Sequence, residues 1–301
     1  MNFKNEFSWS KSRDEVFNEC KRKYYFNHYG FWGGWDPASP DKIRELYVLK
    51  NLSSRHIWIG QVVHDIIKYC LIQLKAGNGI NLSHLTFRLK KRLKEDFECS
   101  ESGVYKKLPK KCGLVEHEYG YLISKDEWDE LFKMAEKCIM NFYNSDVLKE
   151  IKNTDTSKWL FLEDFLSFNF EGTKVYLSID FAIKNGDDKI VLYDWKTGKE
   201  RDIEMDVQLA CYALYVLQKW NLDPDKIIIK KYNVALDKED EFKITNQTIE
   251  DIKNYMRKSI EEMKNILVDK DNNLAKEEDF PVTSDVKKCL RCNFRKICNL
   301  V

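Results

Sequence analysis

The sequence predicts a mixed α/β fold in which helices precede a central sheet. The main observation is a change in apolar period after Thr154, from helical spacing to the alternation of strands. A second is that the strands are followed by a helical segment and then by a further strand, as in a crossover connection. The 301 residues are 43% hydrophobic, which is enough for a large core.

Helical signals dominate the first half of the chain. A helix is predicted from Ser10 to about Tyr25, with Ser10 or Ser12 as its N-cap, and an aromatic, Gly- and Pro-rich loop follows up to Pro40. Ser124 and Glu127 form the capping box of a later helix. Helical apolar spacing also covers about 55–74 and, on a basic amphipathic segment, 82–98, whereas 99–120 is expected to be a loop.

The second half predicts strands and their connections. Three strands are expected, over 159–170, 173–184 and 188–196, and Asn185-Gly186 predicts a tight hairpin between the last two. The remaining predicted elements are a helix over 203–220, a strand near 227–234, a possible strand near Phe242 and a long helix over 248–267.

Composition limits the possible settings of the protein. The net charge is +1, from 50 basic and 49 acidic residues, so binding to nucleic acid would depend on local patches. No stretch of about 18 apolar residues is present, and the first residues lack the apolar region of a signal peptide. We therefore expect a cytoplasmic protein without a membrane partner, in which the nine cysteines are reduced.

Acidic residues fall at the ends of the predicted strands. Asp180 ends one strand, Asp194 and Lys196 end the next, and Glu163 lies on the strand before them. Residues two apart on a strand share a face, so Asp194 and Lys196 point the same way. A hairpin lets Asp180 approach Asp194, and two such carboxylates need neutralising charge. Either strand-end ion pairs or a hard divalent cation, Mg²⁺ or Mn²⁺, would supply it.

The order of these residues resembles a known family. Asp180, then Asp194-Trp195-Lys196, then a helix with Gln208 and Tyr212 resembles the PD-(D/E)XK nuclease superfamily. The more specific resemblance is to the RecB-like exonuclease branch, which includes CRISPR-associated exonucleases with an iron–sulfur cluster and the AddB-type nuclease domain. It implies a PD-(D/E)XK nuclease-like mixed central sheet flanked by helices, as one domain over 1–301. The order of the predicted elements indicates a helical insert at 75–150, to which the resemblance does not extend.

The resemblance also implies roles for individual residues. Asp180, Asp194, Glu163, His64 and the carbonyl of Trp195 would hold Mg²⁺ or Mn²⁺. In addition, Lys196 would be catalytic and position the attacking water, and Gln208 and Tyr212 would brace the site or the DNA backbone. Without the resemblance, His64 would be interpreted as a satisfied histidine on an apolar helix face, and Gln208 and Tyr212 as part of an ordinary amphipathic helix.

A second group of residues is a cysteine cluster. Cys289, Cys292 and Cys298 form C-x₂-C-x₅-C near the end of the chain, and three thiolates at this spacing can share one metal centre. Cys20 is the candidate fourth ligand, which would join residues 281–301 to the N-terminal part. Both zinc and a [4Fe–4S] cluster suit four thiolates. The RecB-like resemblance, which includes a Cys in the context of Phe17, Cys20 and Tyr24, favours the iron–sulfur cluster.

Basic and aromatic residues alternate in the first predicted helix and suggest a nucleic-acid contact. Lys11, Arg13, Arg22 and Lys23 could meet phosphates, and Tyr24 could stack on a base, as in single-strand binding. The alternative for Tyr24 and its aromatic neighbours is packing in the core. The stretch from Phe87 to Lys94 is a second candidate phosphate track.

Together these features predict a metal-dependent deoxyribonuclease. We expect an exonuclease that acts on single-stranded DNA or DNA with free ends, in repair or defence and with possible protein partners there. One alternative is a non-catalytic DNA-end-binding or adaptor subunit that keeps the fold. Another is an interaction protein with a zinc-ribbon tail, in which the acidic cluster is only structural.

Overall fold

A computed structural model describes residues 4–186, 189–198 and 205–298. The first helical region differs from the prediction, because the expected helix over 10–25 is broken at Cys20, whose backbone is extended. A helix missed by the sequence analysis follows the aromatic loop. The elements of this region are β1 (Ser8–Trp9), α1 (Lys11–Glu19), α2 (Lys21–Tyr25), a π-helical turn (Phe26–Gly30) and α3 (Asp41–Lys50).

The middle of the chain is helical, as predicted. Ser54 caps α4, and Ser124 forms the expected capping box with Glu127 at the start of α7. The region expected to be a loop, 99–120, contains a 3₁₀ turn and a short helix. The elements are α4 (Arg55–Lys75), α5 (Leu82–Glu101), the 3₁₀ turn (Val104–Lys106), α6 (Val115–Glu118), α7 (Lys125–Asn144) and α8 (Asp146–Asn153).

The strands and the two long helices among them follow the predicted order, whereas the two short helices near the end of the described chain were not predicted. The elements are β2 (Trp159–Phe170), β3 (Thr173–Lys184), β4 (Ile190–Lys196), α9 (Val207–Trp220), β5 (Ile227–Asn233), β6 (Lys238–Lys243), α10 (Asn246–Asn265), α11 (Val286–Leu290) and α12 (Arg295–Cys298). The predicted starts of β4 at Asp188 and of α9 at Ile203 lie outside the described residues. No helix of the described chain is long and apolar enough to cross a membrane.

The six strands form one mixed sheet, which confirms the predicted fold class. Its order is β1-β3-β4-β5-β6, and β2 pairs with β3 on the other side. The β2–β3, β3–β4 and β5–β6 pairs are antiparallel, whereas β4 and β5 are parallel and connected through α9. One core packs the sheet against α9 and α10, and a second packs its other face against α4, α5, α7 and α8.

Two hairpin turns connect the first three long strands. Phe170 pairs with Thr173, and both residues between them, Glu171 and Gly172, have positive φ, as a two-residue turn of this kind requires. The hairpin predicted at Asn185-Gly186 is not tight, because the last pair of β3 and β4 is Lys184 with Ile190 and five residues connect them.

A fork in the sheet lies on β3. On the side opposite β2, β3 pairs with β1 at residues 174–175 and with β4 at 181–184. Within the described residues, 176–180 have no strand neighbour on that side. The fork therefore exposes one edge of β3 just before Asp180, and α9 packs close to it.

Candidate active site

The site forms where β2, β3 and β4 approach one face of α4. Asp180 is on β3, Asp194 and Lys196 are at the end of β4, and His64 is in the middle of α4. The β2–β3 pairs on either side, Leu162 with Phe181 and Asp164 with Ile179, place Glu163 opposite Asp180. The structure therefore brings together five of the six residues that the sequence analysis selected as ligands or as the catalytic lysine; the sixth is Trp195, expected to act through its carbonyl.

One histidine and two carboxylates form a compact donor group. The ligand atoms of His64, Glu163 and Asp180 lie within 4.8 Å of one another. His64 Nδ1 is 3.5 Å from Glu163 Oε1 and 3.5 Å from Asp180 Oδ1. Burial lowers the pKa of His64, but the neighbouring carboxylates of Asp180 and Glu163 outweigh it and raise the value to about 10. A protonated His64 therefore lies between two carboxylates, at a position where a metal ion could bind.

The backbone at Glu163 is strained. Its φ is +51°, in the left-handed region that non-glycine residues rarely adopt. Such conformations are concentrated at functional sites, where the surrounding structure enforces them. Glu163 Oε1 is also buried and accepts no hydrogen bond, and burial raises the pKa of this carboxyl. A buried carboxylate oxygen without a donor is a suitable place for a cation.

Asp194 and Lys196 form a second, deeper part of the site. Asp194 is 1% exposed, and its Oδ2 lies 2.9 Å from Lys196 Nζ. Burial and the charge of Asp180 raise the pKa of Asp194 to about 7, against the opposing effect of Lys196. Asp180 is held by the backbone N–H of Trp195, which donates to its Oδ2 at 2.7 Å. The contact at Trp195 is thus made by its amide, and the role expected for its carbonyl stays a prediction.

The start of α9 completes the site. Lys196 Nζ donates to Gln208 Oε1 at 3.3 Å, and the amide of Gln208 donates to the hydroxyl of Tyr212 one turn later. Burial raises the pKa of Tyr212 well above its ordinary value, so its phenol stays neutral. Gln208 thus contacts Lys196 and Tyr212 contacts Gln208, as a bracing role would require, and that role stays a prediction.

Lys68 was missed by the sequence analysis. It lies one helical turn after His64 on α4, and its Nζ donates to the carbonyl of Glu163 at 3.4 Å. The i,i+4 spacing from His64 was the available signal, because residues four apart share a helix face. Lys68 ties the strained residue of β2 to the helix that carries His64.

The four cysteines of the second predicted site also converge. Cys20, Cys289, Cys292 and Cys298 line one small cavity between the helix break and the C-terminal tail. Burial raises the pKa of Cys292 to about 11, with a further rise from Cys20 and Cys298. The tail is held nearby by Tyr119, whose hydroxyl donates to the carbonyl of Asn293 at 2.7 Å. All nine cysteines of the chain are free thiols in the structure.

The predicted DNA contacts divide into two groups. Lys11 and Arg13 line a groove of about 600 Å³ that also reaches Gln208 and Tyr212. Tyr24, in contrast, is fully buried between aromatic neighbours, so the prediction that it stacks on a base is wrong. Tyr24 directly follows three basic residues, which favoured a nucleic-acid contact, but Tyr25 and Phe26 follow it, and the alternative of packing in the core is the one that the structure shows.

Arg22 and Lys23 are engaged within the protein. Arg22 donates to the carbonyl of Phe280 at 2.8 Å and pairs with Glu277 at 3.1 Å, whereas Lys23 pairs with Glu19 at 2.8 Å. Their predicted contact with phosphate would have to compete with these partners. Arg22 instead joins α2 to the segment before the C-terminal tail.

Comparison with known proteins gives one result that covers nearly the whole chain. A family model described as the PD-(D/E)XK nuclease superfamily matches residues 8–299. The matched range includes β1, the whole sheet, His64 and the cysteine-bearing tail. No curated protein matches the chain.

Proposed function

Because the chain belongs to the PD-(D/E)XK nuclease superfamily, whose members are metal-dependent nucleases, we propose that it is a deoxyribonuclease that uses Mg²⁺ or Mn²⁺. The observation that carries this proposal is the group of His64, Glu163 and Asp180, with ligand atoms within 4.8 Å of one another. Imidazole and carboxylate ligands suit Mn²⁺, and carboxylates suit Mg²⁺.

The donor atoms suggest which residues would bind the metal ion and which would position the attacking water. His64, Glu163, Asp180, Asp194 and the carbonyl of Trp195 would hold the metal, which when bound supplies positive charge to the phosphate that is attacked. Lys196 would position the attacking water. Burial lowers the pKa of Lys196, but Asp194 outweighs this effect and raises it, so the amine stays protonated and acts as a hydrogen-bond donor. Gln208 fixes the direction of that donor.

The first experiment measures cleavage of an end-labelled single strand with Mn²⁺ and with Mg²⁺. Lys196→Ala should lower the rate by about 100-fold or more, the usual effect of removing one group that stabilises the transition state. Lys149→Ala is the matched control, because Lys149 is an exposed lysine on α8 that pairs with Asp146 and lies outside the candidate site. Binding of DNA without cleavage under either metal would instead favour the adaptor subunit.

We also propose that the enzyme is an exonuclease of the RecB-like branch that acts on single strands or free ends. The order of Asp180, Asp194, Lys196, Gln208 and Tyr212 along the chain supports this assignment. Linear and circular forms of the same single strand should separate the modes of action. Degradation of linear DNA alone supports an exonuclease, whereas nicking of the circle shows an endonuclease.

We further propose that Cys20, Cys289, Cys292 and Cys298 hold a [4Fe–4S] cluster. Support comes from their convergence on one cavity, although Cys20 lies far from the others in sequence. Zinc is the competing occupant, because four thiolates also suit a structural zinc site. In either case the centre would fasten the N-terminal helices to the tail.

The protein purified without oxygen should be brown and contain iron and sulfide. Cys292→Ala should remove the colour and destabilise the fold, whereas Cys99→Ala should change neither. Cys99 is a suitable control because it is also partly exposed but lies outside the cavity. A colourless protein with stoichiometric zinc would show that the cluster assignment is wrong.

For the biological setting we propose DNA repair or defence, including a CRISPR-associated role, in the cytoplasm. The nine free thiols fit a reducing compartment. Protein partners in such a complex are a part of this proposal, and co-purification of the tagged protein from its native cells tests it.

A further inference from the structure

An exposed pair of stacked aromatic rings lies on the arm formed by β2 and β3. The rings of Phe165 and Tyr176 have centroids 5.0 Å apart and planes within 16° of parallel. Phe165 is 73% exposed, so one face of its ring is open to solvent. Lys174 Nζ lies 5.0 Å from the centre of the Tyr176 ring and adds a positive charge to the pair.

This ring pair borders the groove that leads to the candidate active site. Phe165 and Tyr176 line the same groove of about 600 Å³ as Gln208, which accepts a hydrogen bond from Lys196. The groove follows the free edge of β3 left by the fork. Phe165 is two residues from Glu163 on β2, which places its backbone about 7 Å from that of the candidate ligand.

The opposite wall of the groove has different chemistry. It consists of the first turn of α1, where the hydroxyls of Ser10 and Ser12 lie 3.0 Å apart and where Lys11 and Arg13 are located. One wall thus offers aromatic faces, and the other offers hydroxyl groups and cations. Aromatic faces stack on bases and cations meet phosphates, and this combination is typical of sites for single-stranded nucleic acid.

We propose that Phe165 and Tyr176 form a base-stacking platform that holds an unpaired base of the substrate next to the bond to be cleaved. The proposal rests on the proposed nuclease function and adds the substrate class, a strand whose bases are unpaired at this position. In a duplex the faces of internal bases are covered by their neighbours, so only an unpaired or terminal base could stack on Phe165.

The experiment measures binding of a labelled single-stranded oligonucleotide in EDTA, so that cleavage cannot interfere. Phe165→Ala should weaken this binding by roughly 5- to 150-fold, the range measured for loss of one base–aromatic stack. Phe165→Trp should restore it. Leu122→Ala is the control, because Leu122 is an exposed apolar residue between α6 and α7 that does not line the groove, and it should bind as the wild type does.

A second measurement locates the base. Single abasic positions are placed one at a time along the strand, and one position should weaken binding to the wild type but not to Phe165→Ala. Equal binding by Phe165→Ala and Leu122→Ala would overturn the proposal, as would an equal loss on blunt duplex DNA. An unchanged melting temperature of Phe165→Ala, expected for so exposed a residue, excludes unfolding as the cause of a loss.

The two proposals can fail separately. If the wild type cleaves DNA with Mn²⁺ but Phe165→Ala binds normally, the base platform is wrong and the nuclease function stands. If no metal supports cleavage but the stacking effect is present, the nuclease function is wrong and the platform stands.

Discussion

Replacing Asp14 should destabilise the wall of the groove that α1 forms. Asp14 is 1% exposed and accepts hydrogen bonds from the hydroxyls of Tyr255 and Ser259, both at 2.6 Å, and from the amide of Asn18 at 3.1 Å. Ser259 in turn accepts from the indole N–H of Trp9 at 2.9 Å. This network fastens β1 and α1 to α10.

The magnitude follows from the partners that are lost. A hydrogen bond to a charged group contributes about 1.5–3 kcal/mol, and a buried donor left without a partner costs a similar amount. Because Tyr255 is partly exposed, water can replace its lost partner, but Ser259 is buried. We therefore expect Asp14→Ala to lower the free energy of unfolding by about 3–4 kcal/mol and, for a chain of 301 residues, the melting temperature by roughly 5–6 °C.

Thermal unfolding followed by circular dichroism measures this effect. Tyr255→Phe removes a single hydrogen bond and should cost only about 1–2 kcal/mol. The double variant tests the pairing, because it should be less destabilised than the sum of the two single variants. A loss below about 1 kcal/mol for Asp14→Ala would refute the reasoning, since so weak an effect would mean that the network is not formed.

Three further predictions concern packing, the lysine and pH. Gly34→Ala should cost about 1–3 kcal/mol in a thermal melt, because its new Cβ would lie 2.5 Å from a backbone carbonyl, whereas Gly79→Ala, with nothing within 4 Å, should not. Gln208→Ala should slow cleavage about tenfold, because it removes the acceptor that orients Lys196. The affinity for Mn²⁺ measured by calorimetry should not change, and a tenfold loss of this affinity would contradict the bracing role. Burial and neighbouring cations lower the pKa of Lys50 to about 8, below its value in the unfolded chain. Between these two pKa values the unfolded chain binds more protons than the folded protein, so the free energy of unfolding should rise with pH from about pH 8 upward. Urea unfolding at several pH values should show this rise in the wild type and not in Lys50→Gln. If the free energies of unfolding of the two proteins change with pH in parallel, the prediction is wrong.

The sequence was sufficient for the parts of the fold that depend on local patterns. The bounds of β2 and β3 agree with the prediction, because β3 alternates over most of its length and the turn at Gly172 separates it from the apolar and aromatic run of β2. β1 was missed because two residues carry no period, and α8 because its signal is only about two amphipathic turns after Ser145. α3 directly follows a loop rich in Gly and Pro, which concealed its start at Asp41.

The site could be predicted as a set of residues but not as a geometry. The spacing of Asp194 and Lys196 along one strand is local, and the structure places them in contact. The left-handed backbone of Glu163 has no local signal, because neither glycine nor a turn residue marks it. The burial of Tyr24 depends on Phe280, which is far away in sequence, and such contacts leave no trace in the pattern around either residue.

The two-residue turn at Glu171-Gly172 fixes the register of β2 against β3. Glu163 lies eight residues before Glu171, and Asp180 lies eight residues after Gly172. The two carboxylates therefore lie opposite each other only while the number of residues between acid and turn is the same on both strands. One residue inserted on either side would slide one acid past the other and turn a side chain to the wrong face. The same insertion between β5 and β6 would leave the acids in place. We therefore expect insertions and deletions to be tolerated between β5 and β6 but not between Glu163 and Asp180.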